Sequence, residues 1–315
     1  MAKNNAPSIQ HTSLAVGKPR SVLSRFLYYK YFYLMLVPGI LFYALFMYWP
    51  YIEIRQALWD WGVLGPKDFI GLKNFAEIMK DEIFWNAFRN TFLLSGVRIV
   101  LEMFAAIILA LLLNEVRKSY IKRTVQTVLY LPHFLSWVVT ASIFTLILSP
   151  GSGFVNAIIK TMGGTPIYFL TEEFWWPIVY YFLRLWHDTG WATIVFLAAL
   201  AGVDPELYEA SWIDGAGRIK QMWYITLPHI TTTIVIVLMI NLSHIFRLFE
   251  PVFVLQNPLV SNVSEVIMTY VYRRGLVQGD FDYGIAVGLF NSVISLVLVV
   301  GANLLVKKIR KEGIF

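Results

Sequence analysis

Long apolar stretches separated by short polar segments divide this chain of 315 residues. Residues 31–52 run without a single charge, and as a helix rising about 1.5 Å per residue they reach roughly 33 Å. That is enough to cross a bilayer's hydrocarbon core of about 30 Å. Comparable blocks follow at residues 91–114, 124–148, 175–201, 229–255 and 283–306. The pattern predicts an all-α polytopic membrane protein with six transmembrane helices. Arg98 and Glu102 interrupt the second block, and Pro132 is expected to kink the first turns of the third. A cleaved leader is not expected, because the first apolar run is too long and no small-residue cleavage site follows it.

The connecting segments differ in kind. Residues 1–30 hold five bases and no acid and read as a tail leading into the first span. Residues 53–90 carry turn signals at Gly62, Gly65-Pro66 and Gly71, and residues 149–174 open on Pro150-Gly-Ser-Gly153. The insert at residues 202–228 is the most elaborate. Glu206 and Glu209 stand near the start of one short helical run, Asp214-Gly215 breaks it, and a second run carries Ile219, Met222 and Trp223 at helical spacing. Leu227-Pro228 is expected to end that run. A helix-turn-helix with a mixed surface suits a groove on a partner protein. The alternative of a helix resting on lipid headgroups is disfavoured, since Asp204, Glu206, Glu209 and Asp214 would face an anionic leaflet.

Charge then orients the spans. With both termini and residues 115–123 and 202–228 on one side, that side holds fifteen bases against seven in the loops of the other. The positive-inside rule makes it the cytoplasm, for both termini and the helix-turn-helix alike.

Composition narrows the chemistry. With 57% hydrophobic and 15% charged residues the chain is too apolar for an ordinary soluble domain. Its net charge of +6 comes from bases beside apolar spans, not interleaved with aromatics, so nucleic acid is not an expected partner. Cysteine is absent, which removes disulfide and thiolate chemistry. Gly215-Ala-Gly217-Arg-Ile-Lys220 lacks the spacing and the following hydroxyl of a phosphate-binding loop. The five histidines show no metal-ligand spacing. Neither catalysis nor a bound metal or cofactor is expected on this chain.

Ionisable groups within spans call for a partner or a wet cavity. Arg184, His187, Asp188 and Trp191 share one face of the fourth span; Asn241, His244, Arg247 and Glu250 occupy the fifth, and Asn291 the sixth. These nine are the candidates for a polar substrate path. Trp186, Trp191, Phe246 and Phe249 lie beside them in sequence, and polar groups with aromatic platforms suit a sugar. Against this stands a structural role: Arg98 with Glu102 and Arg184 with Asp188 as ion pairs, and His187 and His244 as core histidines. Arg184 and Arg247 would also suit the carboxylates of uronic-acid sugars.

The helix-turn-helix carries a resemblance. Glu209-Ala210-Ser211, Asp214-Gly215-Ala216, Ile225 and Leu227-Pro228 are similar to the pattern E-A-A-x-x-D-G-A, eight variable positions, I-x-L-P of permease subunits of binding-protein-dependent ABC importers. Ser211 stands where a second alanine is usual, and Met222 where an aromatic is common. Phe69-Ile-Gly-Leu-Lys-Asn-Phe75 is similar to the outer loop opening maltose-type sugar permeases, and Tyr33-Leu-Met-Leu-Val-Pro-Gly39 resembles the subgroup importing complex oligosaccharides. The resemblance implies a bacterial cytoplasmic-membrane permease whose 202–228 loop docks on an ATPase, with Gly215 at the bend and Glu209 near a basic residue. It further implies a second, similar permease subunit forming a heterodimer, two ATPase subunits that bind ATP and Mg, and an extracytoplasmic solute-binding protein that delivers an oligosaccharide. Two alternatives remain: a proton-coupled secondary transporter using Glu102, Asp188 or Glu250, and an ABC permease for a non-sugar solute.

Overall fold

The computed structural model describes residues 26–62 and 65–310, with Pro66 and the last two residues described by backbone alone. Most of the expected amino-terminal tail and residues 311–315 of the carboxyl-terminal tail lie outside the described residues. The first apolar block forms α1 (Lys30–Leu58), which contains Pro38 and passes into a wider π-helical stretch at Tyr43–Tyr48. Residues up to Arg55 belong to a unit of their own, and the second unit begins at Gln56.

The second unit opens with the one hairpin among the described residues, β1 (Trp59–Gly62) paired antiparallel with β2 (Gly65–Phe69), and a short α2 (Lys73–Ile78). Then α3 (Glu82–Glu115) runs unbroken for 34 residues. The third block divides into α4 (Ser119–Phe134) and α5 (Trp137–Leu148), bent by 100°. A kinked single helix was the expectation, and a break is the finding. Pro132 tightens the end of α4 into a 3-10 turn, Leu135 turns extended, and Ser136 caps α5 by accepting from the Val139 N–H at 3.3 Å. With 12 residues, α5 alone spans only about 18 Å.

Next come α6 (Phe154–Thr161), α7 (Trp175–Leu200) and α8 (Pro205–Ile213), the last two bent by 72°. α9 (Arg218–Ser243) is continuous, so Leu227-Pro228 does not end the second run of the helix-turn-helix. A π-turn at Met222–Thr226 ends just short of Pro228, with Leu227 between it and the proline, and its wider bore gives the proline ring room where an α-turn would clash. The fifth block breaks too: α9 stops at Ser243 and α10 (Glu250–Leu255) resumes after six non-helical residues. Short α11 (Ser261–Ser264) and α12 (Ile267–Val271) precede α13 (Phe281–Arg310). Among the described residues four helices are long and apolar enough to cross a membrane, and up to six if each bent pair counts as one span.

α7 packs along α3, and Gly190 of α7 meets α4 so closely that a Cβ there would lie 2.0 Å from the Leu129 carbonyl oxygen. At the end of the unit away from the helix-turn-helix, the segments before α3 and α13 are clasped by polar groups. Asp81 caps α3, accepting from the N–H groups of Ile83 at 2.9 Å and Phe84 at 3.2 Å. The same carboxylate accepts from Tyr270, from Tyr283 at 3.1 Å and from Arg274 at 2.9 Å. Arg274 also pairs with Glu77 and, at 2.9 Å, with Asp280, and it lies 3.4 Å from the centre of the Tyr283 ring. Large apolar side chains remain exposed along the helices, Leu146 and Leu296 among them, as a surface solvated by lipid requires.

Candidate functional site

The break in the fifth block is the centre of the site. His244 caps α9, with its N–H donating to the Asn241 carbonyl at 3.1 Å, and residues 245–249 leave the helical path. Non-helical backbone within a membrane segment persists where protein buries it or a wet cavity receives it. Both occur here. The Ser95 hydroxyl donates to the Ile245 carbonyl at 2.6 Å, while the other side of the break borders a cavity of about 610 Å³.

Five helices and the break itself line that cavity. Ser95 and Arg98 come from α3, Trp137 from α5 and Arg184 from α7. Asn241 stands at the end of α9, His244, Arg247, Leu248 and Phe249 in the break, and Glu250 and Pro251 at the start of α10. Arg98 is held by Glu102 at 2.7 Å and Arg184 by Asp188 at 2.8 Å. Both ion pairs foreseen in the sequence are therefore present, and their arginines still border the cavity. Arg184 also lies 4.9 Å from the Trp137 ring centre, and its Nε is buried without a partner. Arg247 is exposed and makes no ion pair among the described residues. The cavity thus presents three guanidinium groups and one carboxylate, Glu250.

Other candidates stand behind the wall. His187 stacks on Trp137 at 3.9 Å, with Nδ1 2.6 Å from Asp188 Oδ1 and Nε2 3.0 Å from the Leu135 carbonyl. His133 approaches the same Asp188 oxygen at 3.2 Å and stacks on Trp191 at 4.8 Å. His187, Asp188 and Trp191 accordingly pin the joint between α4 and α5 and do not line the cavity. Asn291 does not line it either, and its Oδ1 is buried and unpartnered. Of the four aromatics expected beside the path, Phe249 alone borders it. Trp186 packs on Phe144, and Phe246 is buried against Phe88.

Ser95 and Trp137 were missed by sequence reasoning, and Arg98 was read only as half of an ion pair. The available signal was Ser95 and Arg98 three residues apart on one helical face; Trp137 had none, since its place depends on the bend at Leu135. The ligand atoms of His133, His187 and Asp188 lie within 4.8 Å of one another, the spacing of a metal triad, though each already serves a hydrogen bond in this arrangement.

The helix-turn-helix is a self-contained device. Asp204 caps α8, accepting from the Glu206 N–H at 2.9 Å, with Pro205 in the first turn. Gly215 takes φ +78°, a left-handed conformation that closes the helix end as the Ala216 N–H reaches the Ser211 carbonyl at 2.9 Å. Ser211, the departure from alanine, accepts a hydrogen bond from Gln221 Nε2 at 2.9 Å. Tyr208 and Thr226 join their hydroxyls at 2.9 Å. These bonds lock α8 onto the start of α9. Glu209, Ala210 and Asp214 are left exposed, as are the large side chains of Trp212, Ile213, Ile219 and Tyr224. Ile225 and Leu227 are half-buried and Pro228 is exposed.

Known proteins share this architecture. The chain is 40% identical over 319 residues, covering 100% of itself and 99% of the relative, to the polygalacturonan/rhamnogalacturonan transport system permease protein YteP of Bacillus subtilis (strain 168). It is 40% identical over 306 residues, 96% of each chain, to protein LplB of the same organism. A crystal structure of a bacterial ABC transporter involved in the import of the acidic polysaccharide alginate superposes with a TM-score of 0.86 at 36% identity, covering 91% of this chain and 98% of that one. A second structure, the alginate ABC transporter with an alginate pentasaccharide-bound periplasmic protein, gives 0.86 at 36% identity over 93% and 99%. Residues 102–311 match the family described as binding-protein-dependent transport system inner membrane component. YteP is named as the permease protein of a transport system, not as an enzyme. The chain therefore belongs to the binding-protein-dependent inner-membrane permeases of ABC importers.

Proposed function

We propose that this permease conducts an acidic, uronate-containing oligosaccharide through the cavity at the break of the fifth span. The observation that carries the reading is the set of three arginines from three separate elements, Arg98, Arg184 and Arg247, around one cavity. A guanidinium offers a carboxylate two parallel hydrogen bonds, and an unpaired charge at membrane depth is retained where a ligand or water meets it. Asn241, His244 and Ser95 supply hydrogen-bonding groups for hydroxyls, and Trp137 and Phe249 supply ring faces. Relatives named for polygalacturonan and alginate support the same substrate class.

In this reading both termini and the 202–228 loop are cytoplasmic. Glu209, Asp214, Gly215 and the exposed apolar side chains around them engage one of two ATPase subunits, which bind ATP and Mg. A second permease forms the other half of the path, and an extracytoplasmic solute-binding protein delivers the sugar. ATP-driven closure of the ATPases pushes on the loop, and because α9 runs unbroken from Arg218 to Ser243, the push ends at the break that lines the cavity. Alternating access follows as a rigid-body change between two states.

The test is ATPase activity of the purified complex with its solute-binding protein, against neutral and uronate oligosaccharides. Stimulation by the uronates, lost in Glu209→Lys, is expected. Stimulation by neutral sugars alone would reject the acidic substrate, and normal coupling in Glu209→Lys would reject the docking role.

A further inference from the structure

A second cavity, of about 690 Å³, lies at the end of the unit opposite the helix-turn-helix. One wall is the start of α3, with Glu82 and Asn86; the other is the segment from Gln256 to Arg273. The two are fastened together. Asn86 and Asn90 both donate to the Asn262 carbonyl, at 2.9 and 2.8 Å, and Asn90 also donates to the Glu265 carbonyl at 3.1 Å. The cavity is therefore built rather than left between loops. Nine of its eleven lining residues carry polar side chains, with Ile83 and Pro258 the exceptions. Ser264, in that lining, is 1% exposed and its hydroxyl has no hydrogen-bond partner. A buried orphan hydroxyl costs stability and needs a reason. Arg273, paired with Glu265 at 2.8 Å, is 44% exposed and adds a guanidinium to the cavity.

The same helix serves both cavities. Asn86 borders the second one, while Ser95 and Arg98 border the first; twelve residues of α3 separate Asn86 from Arg98, about 18 Å along the axis. Resting on the transport reading above, we propose that the second cavity is an outer saccharide subsite, which holds a hydroxyl-rich sugar segment before it enters the membrane cavity. Its size falls in the range of small-molecule pockets. A docking pocket for a protein loop is the competing occupant, but such pockets are centred on clustered aromatic or aliphatic anchors, and this lining offers no aromatic and only Ile83 and Pro258.

The absence of cysteine from the chain allows a direct test in the assembled transporter. Ser261→Cys at the rim, and separately His244→Cys in the membrane cavity, are labelled with a water-soluble maleimide and read on this chain. The probes are a galacturonate tetrasaccharide and a neutral maltotetraose. The galacturonate alone is expected to slow labelling at position 261 by about tenfold at about ten times its dissociation constant. Ser264→Ala is expected to weaken that protection about two- to tenfold, the worth of one hydrogen bond, with the melting temperature of the complex unchanged or raised, because an unpartnered buried hydroxyl is removed. Protection by the sugar-free solute-binding protein, and none by either saccharide, overturns the subsite in favour of protein docking. Protection at position 244 under turnover but not at 261 overturns the subsite alone, and protection at neither position overturns the transport reading as well.

Discussion

Two clusters of charge in the second unit are built on opposite principles. Around Arg274 every charged group has a partner: Glu77, Asp81 and Asp280 each pair with its guanidinium, and Tyr270 and Tyr283 complete the set. Around the break at residues 244–249 the matching stops short. Arg98 and Arg184 have carboxylates behind them, Arg247 has none among the described residues, and Arg184 Nε is buried without a partner. A closed network holds helices in place, and an open one leaves charge free to meet a ligand, which is the basis of the transport proposal.

The widest gap between the two clusters should come from Arg274→Ala. It strands three carboxylates, two of them partly exposed, and is expected to cost about 3 kcal/mol, seen as a lower melting temperature of the solubilised complex. Retention of the wild-type melting temperature would mean that the clasp is ornamental. Arg247→Gln is expected to do the reverse. Melting should barely move, within about 0.5 kcal/mol, while uptake of uronate oligosaccharides into proteoliposomes falls roughly ten- to hundredfold, the loss of one charged hydrogen bond. Equal loss with neutral sugars would assign Arg247 to the fold instead.

A smaller effect separates the clusters by pH. Burial by itself raises the Asp81 carboxyl, but hydrogen bonds from Tyr270, the Phe84 N–H, Tyr283 and the Ile83 N–H outweigh it and hold the group below its ordinary value of 3.8. A depressed carboxyl stabilises the fold above its ordinary value, and that contribution is lost as pH falls through the lowered one. The melting temperature should therefore drop on acidification below about pH 4, and Asp81→Asn should flatten that drop. An unchanged acid profile in Asp81→Asn would remove Asp81 from the clasp's energetics.

How much of this was readable differs between regions. The helix-turn-helix at 202–228 was legible because its signals are local: Glu206 and Glu209 near the start of the first run, a glycine at the turn and apolar residues at helical spacing. The reach of α9 through Pro228 was not, because a proline reads as a stop unless the turn before it widens. For the candidate path, Arg184, Asn241, His244, Arg247 and Glu250 were named from sequence and border one cavity, whereas His187, Asp188, Trp191 and Asn291 were named on equal grounds and do not. Face-sharing on a helix says which residues point the same way, not which neighbour they meet.

The sequence alone determined the class, the number of apolar blocks and the chemistry present within them, since transfer from water to lipid depends on composition over about 20 residues. It also determined the helix-turn-helix, whose cap at Asp204 and closing bonds among Tyr208, Ser211, Gln221 and Thr226 all lie within the loop. Tertiary structure decided where the third and fifth blocks break, because the freed backbone groups at Leu135 and Ile245 are met by His187 and Ser95, each at least 50 residues away in sequence. It also decided which charges are spent on the fold and which are left facing a cavity, for a charge's fate rests on partners that only packing brings near.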